Sequence, residues 1–169
     1  MVIVEIRPAR PGEAGVVLNF VRELATYERL TDEVVADEAA IDRALFAASP
    51  KAFCDIAEWD GEPAGLALWF LNFSSFRGRS GLYLEDLFVR PAHRGRGIGR
   101  TLLKKLAERC LAQGWSRLEW TVLDWNQPAI DFYQARGAKL LRDWRICRVS
   151  GEALRRLGGA DQDQGDNVE

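Results

Sequence analysis

Histidine occurs once in the 169-residue chain, at His93, and methionine once. With so few soft ligands, and no grouping of Cys, His and acids at ligand spacing, a zinc centre is not expected. Cysteine is also scarce: Cys54, Cys110 and Cys147 are scattered, odd in number and lack a CxxC pair. That pattern points to reduced thiols and a cytoplasmic setting. The longest apolar run, AGLALWFL at 64–71, falls well short of the about 20 residues that a membrane-spanning helix needs. The opening MVIVEIRPAR has neither a basic n-region nor a long apolar core, so no signal peptide is expected. Neither sign of charge dominates, with 23 Lys and Arg against 25 Asp and Glu and a net charge of −2. Such a balance gives no general electrostatic reason to hold nucleic acid or an anionic membrane. No internal repeat is evident.

What is present suits a packed domain: 47% hydrophobic residues, with six Trp and eight Phe. Residues 2–9 read as a strand ended at Pro8. A helix follows, with Ala14, Val17, Leu18, Val21 and Leu24 on one stripe, and a second helix covers 37–48. Two apolar runs around Asp60-Gly61 form a hairpin. A polar loop at 74–80 leads to a strand at 81–89, and a helix then runs to Gly114. A strand is expected at 117–123, then a short helix at 126–137 with Asn126 as N-cap, Pro128 in its first turn and Gly137 at its exit. A last strand at 143–150 precedes a helical turn, and residues 158–169 read as a disordered tail. The order gives an α/β (α+β) fold, with one domain over 1–157 and a mixed, mostly antiparallel sheet flanked by helices.

The stretch HRGRGIGRTLLKKL, 93–106, alternates glycines with arginines and then turns amphipathic. Bare amides aimed from a helix start favour a phosphate group. A Walker A loop is excluded, because Gly99 is followed by Arg100-Thr101 and no lysine closes the loop. A dinucleotide fingerprint would need glycine at 100, and its ribose acid, Glu119, falls within a strand. The remaining pattern is Arg/Gln-x-x-Gly-x-Gly/Ala, met by Arg94, Gly97 and Gly99.

Strand YLEDLFV, this loop and its helix resemble the acetyl-coenzyme-A site of the GCN5-related N-acetyltransferase (GNAT) superfamily. YLEDLFV, RGRGIG, DWNQPAIDFYQARGA and RELATYE together resemble its spermidine/spermine (diamine) and thialysine acetyltransferase branch, over nearly all of residues 3–157. The resemblance implies a sheet whose central strands splay, with acetyl-CoA as co-substrate and no metal. It implies main-chain coenzyme contacts at Leu87, Phe88 and Val89, and a pyrophosphate held by Arg94, Gly95, Arg96, Gly97, Ile98, Gly99 and Arg100. Asn126, Pro128, Ala129 and Tyr133 match further coenzyme contacts, and a homodimer with exchanged C-terminal segments is implied.

Acetyl transfer to an amine needs the neutral amine. For a group of pKa about 10.4, that costs roughly 4–5 kcal/mol at pH 7, so a base must assist. The leaving thiolate gains from an acid. The resemblance assigns that role to Tyr133, which by itself would read as a packing partner of Phe132. Acids in the middle of a strand are expensive unless they face a cavity. Strand alternation sets Glu85 and Asp86 on opposite faces; the resemblance points to Glu85 as substrate-binding residue and water-mediated base. Asp86 reads more readily as a structural acid paired with an arginine, and His93 as loop structure rather than a base.

Tyr27 and Glu28 match the pair that lines the amine pocket in the branch. Asp32 and Glu33 either extend an acidic channel or form a solvated loop. Phe76 stands near where polyamine enzymes carry a tryptophan, but Arg77 and Arg79 add positive charge beside it. That departure disfavours long polyamines and suits a shorter, lysine-like amine. The expected activity is N-acetylation of a small cationic amine by direct attack in a ternary complex. The alternatives are a protein or peptide amine as acceptor, or a non-catalytic acyl-CoA-binding module.

Overall fold

The computed structural model describes residues 4–159. It consists of β1 (Val4–Pro8), α1 (Ala14–Glu28), a 3-10 turn (Thr31–Glu33), α2 (Glu38–Phe46), β2 (Phe53–Trp59), β3 (Glu62–Ser74) and β4 (Arg79–Val89). A second 3-10 turn (Pro91–His93), α3 (Ile98–Gln113), β5 (Leu118–Glu119), α4 (Gln127–Gln134) and α5 (Gly151–Leu157) complete it. The chain forms two compact units, one ending at Asp124 and the other beginning at Trp125. The expected tail, from 160 on, lies outside the described residues.

In the first unit, five strands lie in sequence order, antiparallel as far as β4, with β5 parallel to β4. The expected hairpin is present. Asp60 and Gly61 both adopt positive φ, 51° and 84°, as a two-residue turn matched to strand twist requires. The expected 74–80 loop shrinks to a tight turn, because β3 runs to Ser74 and pairs with Arg79. The alternation of Leu71 and Phe73 with Asn72 and Ser74 carries the strand pattern further than the polar loop residues suggested.

Strand β5 is shorter than the expected 117–123. Only Leu82 pairs with Leu118 and Tyr83 with Glu119, so among the described residues β4 has no partner strand on that side from Leu84 onward. This divergence is the splay that the resemblance implied.

On one sheet face Val17 and Phe20 of α1 and Leu45 of α2 pack on Cys54, Ile56, Leu66 and Phe88. The α1 stripe is buried at Ala14, Val17 and Leu18, while Val21 and Leu24 are only half-buried. Helix α3 buries Ile98, Leu102, Leu103 and Leu106 at helical spacing. It is fastened to β2 by Arg109, whose guanidinium donates to both oxygens of buried Asp55 at 2.7 and 3.1 Å. The Trp69 indole N–H gives Asp55 a further hydrogen bond at 2.9 Å.

In the second unit, Asn126 caps α4 by accepting from the Ala129 N–H at 3.3 Å, and Pro128 sits in the first turn. Gly137 leaves the helix with φ 88°. The expected strand at 143–150 is not formed. A strand needs a partner edge, and among the described residues none pairs with this segment, leaving Trp144 76% and Ile146 70% exposed.

Candidate active site

The glycine loop folds as a backbone cradle at the start of α3. Gly95 and Gly97 have φ 74° and 83°, a region closed to most side chains, and nothing lies within 4 Å of a Cβ built on either. Gly97 is the N-cap and has no side chain to occupy the first-turn amides. Helix bonding begins only at Thr101, whose N–H donates to the Gly97 carbonyl at 2.9 Å. The N–H groups from Gly95 to Arg100 therefore have no backbone acceptor among the described residues. Arg96 and Arg100 add positive charge beside them, and the helix dipole acts in the same sense. This arrangement fits a pyrophosphate group. His93, just upstream, packs against Trp59 with its Nδ1 buried.

Strand β4 brings the acids to the neighbouring site. Leu68 pairs with Asp86 but Trp69 with Leu84, so Glu85 is an extra residue opposite none. The expected alternation of Glu85 and Asp86 lapses at this bulge, a device that re-aims side chains next to active sites. Glu85 is exposed, whereas Asp86 is half-buried.

Asp86 looks into a cavity of about 260 Å³ between the C-terminal half of α1, the 30–36 segment and β4, lined also by Val21, Leu24, Glu28, Glu33 and Val34. Burial pushes the Asp86 carboxyl up to about 7, and the charges of Glu85 and Glu28 add to the effect. Burial likewise raises Glu28. The walls are held together by Arg90, at the end of β4. It grips Glu23 of α1 at 2.8–3.1 Å, donates to the Pro63 carbonyl at 2.7 Å and lies over the Phe20 ring.

The remaining expected residues of this unit divide. Arg90 donates its N–H to the Ala64 carbonyl, so by strand alternation the backbone groups of Phe88 face β3 while those of Leu87 and Val89 face the splay. Phe88 is thus engaged on both counts, since its ring is in the core at 5% exposure. The Val89 carbonyl accepts from Arg94 Nε at 2.9 Å. The same guanidinium lies over the Tyr27 ring at 4.8 Å, so the first residue of the loop motif touches a residue expected in the amine pocket. Tyr27 itself is not part of the cavity lining, whereas Glu28 is. Phe76 is 98% exposed at the β3–β4 turn, flanked by exposed Arg77 and Arg79.

In the second unit, Tyr133 lies near the end of α4, edge-on to Phe132 at 5.3 Å, and Pro128 and Ala129 form its first turn with Asn126 as cap. Sequence reasoning missed the cavity position of Asp86; Glu33 is exposed and also borders the cavity, whereas Asp32 is exposed and outside its lining. An apolar-flanked acid pair in a strand was the only signal, and nothing in it marks a bulge.

Residues 19–138 match the Acetyltransferase (GNAT) family. The chain is 42% identical over 170 residues to a thialysine N-epsilon-acetyltransferase of Bos taurus, covering 94% of this chain and 99% of that protein. It is 31% identical over 197 residues to an L-ornithine N5-acetyltransferase of Arabidopsis thaliana, covering 90% and 86% respectively. Among solved structures, an integron cassette protein from the mobile metagenome of V. cholerae superposes with a TM-score of 0.77. That match has 28% identity and covers 92% of this chain and 97% of that one. Members of the family use acetyl-CoA as co-substrate, and the amine-acetylating relatives match along nearly their whole length. The chain belongs to the GNAT acetyltransferase family and is an enzyme that transfers an acetyl group to an amine of a small substrate.

Proposed function

We propose that the acceptor is the terminal primary amine of a short, lysine-like cation such as thialysine or ornithine. The observation that carries this reading is the cavity in which the aliphatic side chains of Val21, Leu24 and Val34 stand beside the carboxylates of Glu28, Glu33 and Asp86. An aliphatic wall suits the methylenes of such a substrate and the acids suit its ammonium group. The thialysine and ornithine enzymes among the relatives support the same class. The exposed Arg77 and Arg79 disfavour a long polycation and favour a carboxylate-bearing one.

Acetyl-CoA supplies an activated thioester carbonyl. Glu85, exposed on the bulge, takes the ammonium proton through ordered water, and Tyr133 donates a proton to the departing thiolate. A tyrosine hydroxyl is protonated at pH 7 and donates without prior charging. Gly95 to Arg100 receive the pyrophosphate on their amides, and the outward backbone of Leu87 and the Val89 N–H pair with the coenzyme arm. No cysteine sits beside a base in any motif, which favours direct attack over an acetyl-enzyme.

The exposed alternating segment around Trp144 and Ile146 supports a homodimer in which this segment is covered by a second copy. Three free cysteines support a cytoplasmic setting. Among the described residues, no helix is long and apolar enough to cross a membrane.

The test is release of free thiol from acetyl-CoA against thialysine, ornithine, lysine, diamines, polyamines and aminoglycosides. Thialysine or ornithine should give the highest kcat/KM, and a preference for spermine or an aminoglycoside would overturn the substrate class. Tyr133→Phe should lower kcat more than coenzyme affinity; wild-type turnover would remove Tyr133 as the acid.

A further inference from the structure

Among the described residues, the acids drawn into the interior are matched with cations except at the cavity, where Glu28 and, more deeply, Asp86 are not. Asp55 is held by Arg109 and Trp69, Glu13 and Glu58 share Arg7, Glu23 is gripped by Arg90, and Glu119 meets Arg117 and Asn72. Asp86 has no hydrogen bond or ion pair among the described residues. The charged groups around it are acids, Glu85 from its own strand, Glu28 from α1 and Glu33 from the segment after α1, and the buried Cys54 thiol of β2 also feels its charge. Its partner on β3 is the aliphatic Leu68. The loop cation Arg94 is committed elsewhere, lying over the Tyr27 and Phe88 rings and bonded to the Val89 carbonyl.

A carboxylate withdrawn from water without a counter-charge is costly, and the structure elsewhere avoids that cost. The cavity supplies the missing element, since it opens onto Asp86 and is wide enough for a short aliphatic chain. We infer that Asp86 is a substrate-binding residue whose counter-ion is the ammonium group of the acceptor itself, so that the incoming amine completes an ion pair the fold leaves open. The inference rests on the proposed amine site and deepens it. Glu85, one residue away on the bulge, is left solvent-facing to handle the proton, while Asp86 fixes the position of the cation. The strongly raised affinity of Asp86 for a proton follows from the same environment, and binding of a cation would draw it back down.

The experiment is steady-state kinetics of Asp86→Asn and Asp86→Glu with thialysine as acceptor, together with thermal unfolding of each variant at pH 8. Asp86→Asn should raise the KM for thialysine tenfold or more. The KM for acetyl-CoA should stay within twofold, and the unfolding temperature should be no lower than that of the wild type. Asp86→Glu, which keeps the charge, should recover part of the lost affinity. The acidic fall in kcat/KM for the amine, near pH 7 in the wild type, should disappear in Asp86→Asn. An unchanged amine KM in Asp86→Asn overturns the inference while the amine-site reading stands. So does a drop of several degrees in unfolding temperature with both KM values rising together, because that marks a structural acid. Absence of turnover by the wild type on every small amine overturns the amine-site reading, and the inference with it.

Discussion

Replacing Gly97 by alanine separates the stability of the loop from its role in holding the coenzyme. Gly97 has φ 83° and ψ −2° as the N-cap of α3. An L residue held in the left-handed region costs roughly 1–2 kcal/mol, and alanine returns about 0.4–1 kcal/mol by restricting the unfolded chain. Nothing lies within 4 Å of the added Cβ, so no steric term enters from neighbouring atoms. The net loss should be about 1 kcal/mol, which corresponds to about 2–4 °C for a chain of this size. The methyl group would stand among the bare amides from Gly95 to Arg100, where a phosphate must approach the main chain closely. A tenfold rise in the KM for acetyl-CoA, equivalent to about 1.4 kcal/mol, is expected with kcat little changed. Urea denaturation measures the first quantity and initial rates of thiol release the second. Wild-type stability would refute the backbone argument. A loss of stability with an unchanged coenzyme KM would refute the assignment of the cradle.

Asp55→Asn should cost about 3–5 kcal/mol in urea denaturation, because it leaves the Arg109 guanidinium uncompensated beside a buried site; a loss below about 1 kcal/mol would contradict this. Asn126→Ala should destabilise by about 1 kcal/mol through loss of the α4 cap, and an unchanged denaturation midpoint would count against that role. The folded-state carboxyl of Asp86 is pushed up to about 7, against about 3.9 in an unfolded chain. The native protein therefore holds a proton that the unfolded chain has released between about pH 4 and pH 7. The stability linked to this group is fully present below pH 4 and is lost as the pH rises through about 7. Asp86→Asn should consequently gain unfolding temperature relative to the wild type between pH 5 and pH 8, and a difference that stays flat over that range would show the carboxyl is not perturbed.

Local signals carried much of the architecture. Asp60-Gly61 specifies its own turn, Gly114 ends α3 in the left-handed conformation, and Asn126 with Pro128 starts α4; each depends on nearest neighbours that can be read in order. The glycine loop was legible for the same reason, since a backbone-lined anion site is written in a few consecutive residues. Strand extents were less so. Residues 117–123 have the pattern of a strand, yet whether they form one depends on how far β4 stays within reach, and only two residues pair. Residues 143–150 alternate correctly but find no edge among the described residues. Asp86 shows the deeper difficulty. Its position follows from a one-residue register shift opposite Leu68 and Trp69, which are distant in sequence and carry no mark of it. A period-two argument cannot anticipate the point at which the period breaks.

The open edge of β4 has a consequence for how such an enzyme can change. Beyond Tyr83 the main-chain groups that face the splay, the Leu87 N–H and carbonyl and the Val89 N–H among them, are the same whichever side chains the strand carries. Recognition there tolerates substitution, provided that the extended conformation is kept and no proline is introduced. The amides of the glycine loop have the same property apart from their demand for glycine at Gly95 and Gly97. Side chains along β4 and α1 are thereby released from contacting one ligand and can diverge to suit another. With the acceptor and coenzyme sites assigned as proposed, a library randomised at Val21, Leu24, Glu28 and Asp86 should change acceptor preference while most members keep the KM for acetyl-CoA.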